Sequence, residues 1–216
     1  MERIEKENLP ALFEALRDVF TAQREALIAL DGKVGDSDLG ITMNKAFIAA
    51  FESVRNNTTD PIGKTLQLAG MAVAKAAPST MGTLVATGLM RGGKALENAQ
   101  VWSTVEMSVF WAAFLQGVAD RGKAQLGDKT LLDVLSPIAL SLEASSASGT
   151  ELSTALQQAA QAARDGLEAT KAMVAQHGKA ACFQEKTLGL QDAGATVGVL
   201  MIETMHAYVV QSRSNT

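Results

Sequence analysis

Cysteine is nearly absent: Cys182 is the only one in 216 residues, so no disulfide can form within the chain and nothing calls for an oxidising compartment. Long apolar runs are missing as well. No stretch of about eighteen apolar residues occurs, and Met1-Glu2-Arg3-Ile4-Glu5-Lys6 is charged where a secretory leader would be apolar, so no membrane span is expected and a cytoplasmic protein is. The chain has no excess of basic residues. With 19 Lys and Arg against 23 Asp and Glu, it lacks the positive stripe a nucleic-acid surface needs, and nucleic acid is not an expected partner. A small anionic ligand stays open, because a cation can meet its charge locally. Aromatic residues make up 5% of the chain, and this scarcity beside plentiful Ala, Leu and Met favours helix over sheet. No Gly-x-x-x-x-Gly-Lys-Ser/Thr loop is present. The two histidines read as a loop residue, His177, and a helix residue, His206, with no catalytic role.

What the chain does have is helical periodicity. Leu9, Leu12, Leu16, Val19, Phe20, Gln23, Leu27 and Leu30 predict one first helix, with Pro10 tolerated in its opening turn. Further helices are expected over Met43 to Val54, Leu66 to Val73, Gly82 to Leu96, and from a capping box at Ser103 and Glu106 to Arg121. A sixth, bent near Pro137, runs from Leu131 to Leu142. A seventh is capped by Thr150 and runs to about Gln176, and the last starts behind Asp192. Gly82, Gly88, Gly92 and Gly93 suit close helix packing or close approach of a ligand, and Trp102 and Trp111 suit packing. The expected fold is all-α: one domain over 1–216, an eight-helix antiparallel up-and-down bundle or barrel. The loops after the first, third, fifth and seventh helices then share one end, and they are the chemically rich ones.

The richest is Leu30-Asp31-Gly32-Lys33-Val34-Gly35-Asp36-Ser37-Asp38-Leu39-Gly40. Asp31, Asp36 and Asp38, at offsets of five and seven with glycines between, cannot share a helix face. A tight loop that crowds three like charges is costly unless a cation sits among them, and an oxygen-only set with room for water and phosphate suits Mg²⁺. An EF-hand is excluded, since its twelfth position would be Phe47 where a bidentate Glu is required. Ser79-Thr80-Met81-Gly82 and Asp192-Ala193-Gly194-Ala195-Thr196 each open a helix with small side chains, a setting that favours phosphate. Each of these features alone also reads as an ordinary turn or cap.

Gly35-Asp36-Ser37-Asp38-Leu39-Gly40, Ser79-Thr80-Met81-Gly82-Thr83-Leu84, Arg121-Gly122-Lys123-Ala124, Gly127-Asp128-Lys129-Thr130-Leu131-Leu132-Asp133 and Gly189-Leu190-Gln191-Asp192-Ala193-Gly194-Ala195-Thr196, in this order, resemble the nucleotide-binding L subunit of dihydroxyacetone kinase. The resemblance covers roughly residues 10 to 210. It implies an antiparallel eight-helix barrel that holds ADP or ATP at one end through two Mg²⁺ ions. Asp31, Asp36 and Asp38 match the metal ligands. Leu39, Gly40, Ile41, Thr42, Thr80, Met81, Gly122, Leu131, Lys179, Asp192, Ala193 and Gly194 match nucleotide-contacting positions. No catalytic residue beyond the metal ligands is implied. The expected partners are a K-type subunit that binds the ketose and a phosphotransferase-system protein that rephosphorylates bound ADP, and the expected assembly is a homodimer. Leu39, Lys179, Leu190 and Ala193 depart from the family's usual His, Arg, His and Pro. An ATP-dependent kinase subunit for a related ketose such as erythrulose, a nucleotide-loaded regulatory protein without turnover, and a ligand-free helical bundle are the alternatives.

Overall fold

In the computed structural model, which describes residues 3–57 and 59–214, every expected apolar pattern becomes a helix. Along the chain these are α1 (Leu9–Ala22), α2 (Arg24–Asp31), α3 (Leu39–Arg55), α4 (Ile62–Ala76), α5 (Thr80–Ala95), α6 (Thr104–Gly122), α7 (Leu132–Ala147), α8 (Leu152–Ala169) and α9 (Ala193–Ser214). The expected first helix is two, because the backbone leaves helical geometry at Gln23 (φ −87°, ψ 2°). Residues from Gln23 onward therefore pack in a new direction and carry Asp31 to the bundle's end. Two further boundaries differ from expectation. Thr150 does not cap α8. It lies one residue before the N-cap, its carbonyl accepts the Thr104 hydroxyl (2.8 Å), and its own hydroxyl meets Ser148. That helix ends at Ala169, short of Gln176, in a 3₁₀ turn over Thr170–Ala172.

Each helix packs on its neighbours in sequence, and α9 returns to α1, which closes the ring. The Tyr208 hydroxyl donates to the Asn8 carbonyl (3.2 Å) across that closure. Among the described residues the only β-type pairing is one antiparallel bridge between Ile4 and Trp102, which ties the N-terminal segment to the connection between α5 and α6. The α1 face of Leu9, Leu12, Phe13, Leu16 and Phe20 is buried, and Phe20 stacks on Phe47 of α3 at 4.1 Å. Burying each such side chain stabilises the fold by about 1.5–3 kcal/mol. Trp102 and Trp111 are core residues. The Ser103 and Glu106 capping box forms as read, and α7 continues through Pro137. By length and hydropathy α9, over Ala193–Ser212, is the one described helix that meets the requirement for a membrane span; half of it is buried, and it packs on α1, α7 and α8 as a wall of the bundle.

The glycines of α5 serve helix packing. A Cβ at Gly88 would stand 2.4 Å from the Phe114 ring and one at Gly92 2.4 Å from Phe110, so α6 seats its aromatic rings against bare α5 backbone. The start of α9 carries a second constraint. Asp192 receives the Ala195 N–H on Oδ2 (2.6 Å), but burial outweighs this bond and the neighbouring Lys129 charge, and pushes its carboxyl up to about 6.

Two outcomes follow. Gly88→Ala forces the Phe114 ring or the two backbones apart, and urea unfolding is expected to show a loss of about 1–3 kcal/mol. For Asp192, a native pKa raised above the unfolded value means that the folded chain holds the proton longer. The stability gained from the neutral form is full below about pH 4 and lost as pH rises through about 6. The stability of wild type minus that of Asp192→Asn is therefore expected to fall by on the order of 2 kcal/mol between pH 4 and pH 7. A flat difference would show that the carboxyl titrates in the folded chain as it does in the unfolded one.

Candidate functional site

The ends of α2, α4, α6 and α8 and the starts of α3, α5, α7 and α9 meet at one end of the ring, around a cavity of about 520 Å³. Its walls come from the acidic loop, residues 78–81, residues 129–131, residues 177–180 and residues 190–194. Four helices thus begin around one space, each bringing the positive end of its macrodipole to it.

Three carboxylates stand on the opposite wall. Asp31, Asp36 and Asp38 each present an oxygen within 4.8 Å of the others, the one such acidic, His or Cys trio among the described residues. Local backbone chemistry builds the cluster. Asp31 ends α2, and its Oδ2 accepts the N–H of Asp38 (3.0 Å) and of Leu39 (3.4 Å), which folds the loop back on itself. Gly35 makes the fold-back possible, since a Cβ there would lie 2.2 Å from Asp31 Oδ1. Ser37 takes a left-handed conformation (φ 61°), rare for a side chain with a Cβ, and sits between the other two acids. Burial, then the charges of Asp36 and Asp31, push the Asp38 carboxyl above its usual range. The Lys179 ammonium bonds Asp36 and holds that carboxyl below its usual range, while Lys179 itself is raised. One exposed lysine against three acids leaves the cluster short of positive charge. Its all-oxygen donor set and its place at the negative end of α2 fit a hard divalent cation, which these three residues could hold.

Of the residues singled out by sequence, Leu39, Thr80, Met81, Leu131, Lys179, Asp192, Ala193 and Gly194 line the same cavity as the acids. Gly40, Ile41, Thr42 and Gly122 do not. Gly40 lets α3 cross α2, because a Cβ there would meet the Arg24 carbonyl at 2.0 Å. Ile41 faces outward, Thr42 is buried in α3, and Gly122 ends α6 behind Leu84. Gly194 has a close-approach role, with Met81 Cε 2.7 Å from where its Cβ would be. Ser79 caps α5 by accepting the Gly82 N–H (3.0 Å).

The structure adds residues to which sequence gave no role. Asp133 accepts the N–H of Gly127 (2.6 Å) and Thr130 (2.7 Å) and so shapes the 127–130 turn. The Thr-x-x-Asp spacing ahead of an apolar run was a readable sign of this. His177 lines the cavity and bonds Asp128 (3.0 Å) across 49 residues, a pairing without a local signature. Lys129 is buried and bonds backbone carbonyls of the 170–190 segment.

Comparison with known proteins agrees with this geometry. Residues 33–207 match the DAK2 domain. The chain is 32% identical over 188 residues to the ADP-binding subunit DhaL of the PEP-dependent dihydroxyacetone kinase of Escherichia coli, covering 87% of this chain and 90% of that one. It is 31% identical to the L-erythrulose kinase of Pectobacterium atrosepticum over 95% of this chain but 35% of that protein. The solved dihydroxyacetone kinase from C. freundii in complex with AMP-PNP and Mg2+ shares the fold, with a TM-score of 0.71 at 24% identity, over 92% of this chain and 33% of that one. A family match across most of the chain, together with a relative aligned nearly end to end, makes this chain a member of the DAK2-domain family, in its dihydroxyacetone kinase L-subunit branch.

Proposed function

We propose that this chain is the nucleotide-binding subunit of a ketose kinase, holding Mg-ADP or Mg-ATP in the 520 Å³ cavity and passing a phosphoryl group to a ketose carried by a separate K-type subunit. The observation that carries the reading is the trio Asp31, Asp36 and Asp38, with oxygens within 4.8 Å, lining one cavity with the first turns of α5 and α9. Neither half stabilises itself. The acids repel one another, the helix ends present unpaired N–H groups, and a metal-bound polyphosphate satisfies both.

Bound Mg²⁺ would supply neutralisation of the charge on the transferring phosphoryl group. The chain's own residues position. Asp31, fixed by the Asp38 and Leu39 amides, orients the acidic loop. The first turns of α5 and α9 offer N–H groups on the facing wall, and small residues at Ala193 and Gly194 leave room beside Met81. Lys179 brings a mobile positive charge to the acidic side, as a point charge rather than a guanidinium fork. Acid–base chemistry is not required of this chain. The ketose is selected on the partner, so relatives named for dihydroxyacetone and for erythrulose are both consistent with one donor site. Rephosphorylation of bound ADP by a phosphotransferase-system protein is the form of the reaction that we favour, on the near full-length relationship to the PEP-dependent subunit.

Asp36→Asn and Asp38→Asn are each expected to weaken Mg-ADP binding by about 100-fold in titration calorimetry, without lowering the melting temperature of the metal-free protein, because Asp38→Asn removes repulsion and Asp36→Asn loses only an exposed ion pair of little net worth. Undiminished affinity would refute the site. Protein purified without added nucleotide is expected to emerge from gel filtration with ADP bound. Emergence as the free protein, with activity restored by ATP, would replace the phosphotransferase donor by free ATP.

A further inference from the structure

Lys129 is the one buried cation among the described residues, and its side chain is 2% exposed. Its ammonium faces no carboxylate within bonding distance. It donates to the carbonyl oxygens of Thr170 (2.7 Å), Met173 (3.2 Å), Thr187 (2.8 Å) and Leu190 (2.5 Å). Four acceptors converge on three N–H bonds, so the group shares its protons among both ends of one segment. That segment, residues 170–190, joins α8 to α9 and carries the cavity wall at 177–180.

At its middle the strap is tied to other loops by Gln176 N–H to the Asp128 carbonyl (3.0 Å), by His177 to Asp128 and by Lys179 to Asp36, but it packs little apolar surface. Phe183 and Leu188 are exposed, and Gln184 breaks its 3₁₀ stretch (φ 49°, ψ −126°). Its internal ties are polar: Ala175 N–H to the Thr187 hydroxyl (3.0 Å), Gly189 N–H to the Lys171 carbonyl (2.8 Å), and Asp192 N–H to the Thr170 hydroxyl (3.0 Å). The Lys129 ammonium joins this set at all four of its turning points. Without a cation, four carbonyl dipoles would point at one another in a space closed to water. The backbone of Lys129 is itself left-handed (φ 59°), a conformation that Gly or Asn adopts more readily, so the position carries local strain to present this side chain. Burial pushes its pKa down while Asp192 opposes the shift, as expected of a charge kept inside by hydrogen bonds.

We propose that Lys129 is a positioning residue whose ammonium ties the 170–190 strap down over the cavity and thereby sets how long a nucleotide stays bound. This rests on the nucleotide-binding reading above. The tie touches none of the three acids, and the strap meets the acidic loop only through the exposed Lys179 and Asp36 pair, so its loss separates two quantities. Retention of nucleotide falls, whereas affinity for the metal alone stays. A general loss of fold would move both.

The test uses the full chain with Lys129→Met and Lys129→Arg. In Lys129→Met, amide hydrogen exchange at Ala175, Gly189 and Asp192 is expected to accelerate about 100-fold while α4 to α6 keep their protection. Mg-ADP is expected to dissociate about tenfold faster, and Mn²⁺ binding in the absence of nucleotide to stay within about twofold. Lys129→Arg, which keeps charge and donors, is expected to recover part of the strap protection. Strap exchange and ADP dissociation within twofold of wild type in Lys129→Met would overturn the proposal, as would loss of protection spread evenly over the helices. If Lys129→Met does not fold, Thr187→Val removes the hydroxyl that receives Ala175 N–H and loosens the same strap; unchanged ADP dissociation with a loosened strap would then break the proposed link. If wild type binds no Mg-ADP, the nucleotide reading fails by itself, and the exchange data still decide whether Lys129 holds the strap.

Discussion

Three carboxylates held within 4.8 Å of one another set the terms for the rest of this molecule. Left alone they would separate, since like charges repel and water lies within reach. Covalent and steric means keep them together: a helix that delivers Asp31, a glycine that lets the loop pass over that side chain, and two amides that bond its oxygen. Asp38 itself stands at the start of α3, and the ring of helices adds the starts of α5, α7 and α9 around the same cavity. This polarity is a consequence of up-and-down topology. Once one helix starts at an end, so does every second one, and the loops there inherit N–H groups while the acidic loop inherits carbonyls. One end of the bundle therefore has both signs of potential across a gap of about 520 Å³.

Most of the fold was legible because amphipathic periodicity is a local property. Leu9 to Phe20, Met43 to Val54 and Leu152 to Leu167 repeat at helical spacing, and tertiary structure had only to accept them. The misreadings occur where periodicity is silent. Gln23 breaks a continuous apolar stripe by backbone geometry alone, and Thr150, a good cap by type, is used by Thr104 of a different helix. The stretch after Ala169 keeps an apolar flavour in Ala172, Val174 and Ala175, yet it folds as a strap because its carbonyls are taken by Lys129 and not by an α-helical ladder.

The site divides along the same line. The acidic trio and the openings of α5 and α9 are contiguous motifs, and each could be read from a few letters. Gly40 and Gly88 carry signals of the same type, but the structure uses both for helix contact. The His177 and Asp128 pair and the Lys129 cage join residues about 40 to 60 positions apart in sequence. Nothing in the local pattern of either partner indicates the other. The packing of α7 on α8 and α9 brings them together.

Two lysines that tie down the strap, Lys179 within it and Lys129 outside it, show how burial assigns different roles to like charges. Lys179 meets Asp36 in the open, where solvent and salt screen the pair and a competing cation can displace it at little cost. Lys129 is enclosed by four carbonyls and cannot leave without stranding them. The base of the strap is thus fixed by an interaction that ionic strength barely reaches, and its tip is held by one that ions govern. A segment arranged in this way can release its tip from the acidic loop when a metal takes the lysine's place and still remain over the cavity, which is what a site needs if it is to exchange one cation for another without losing its cover.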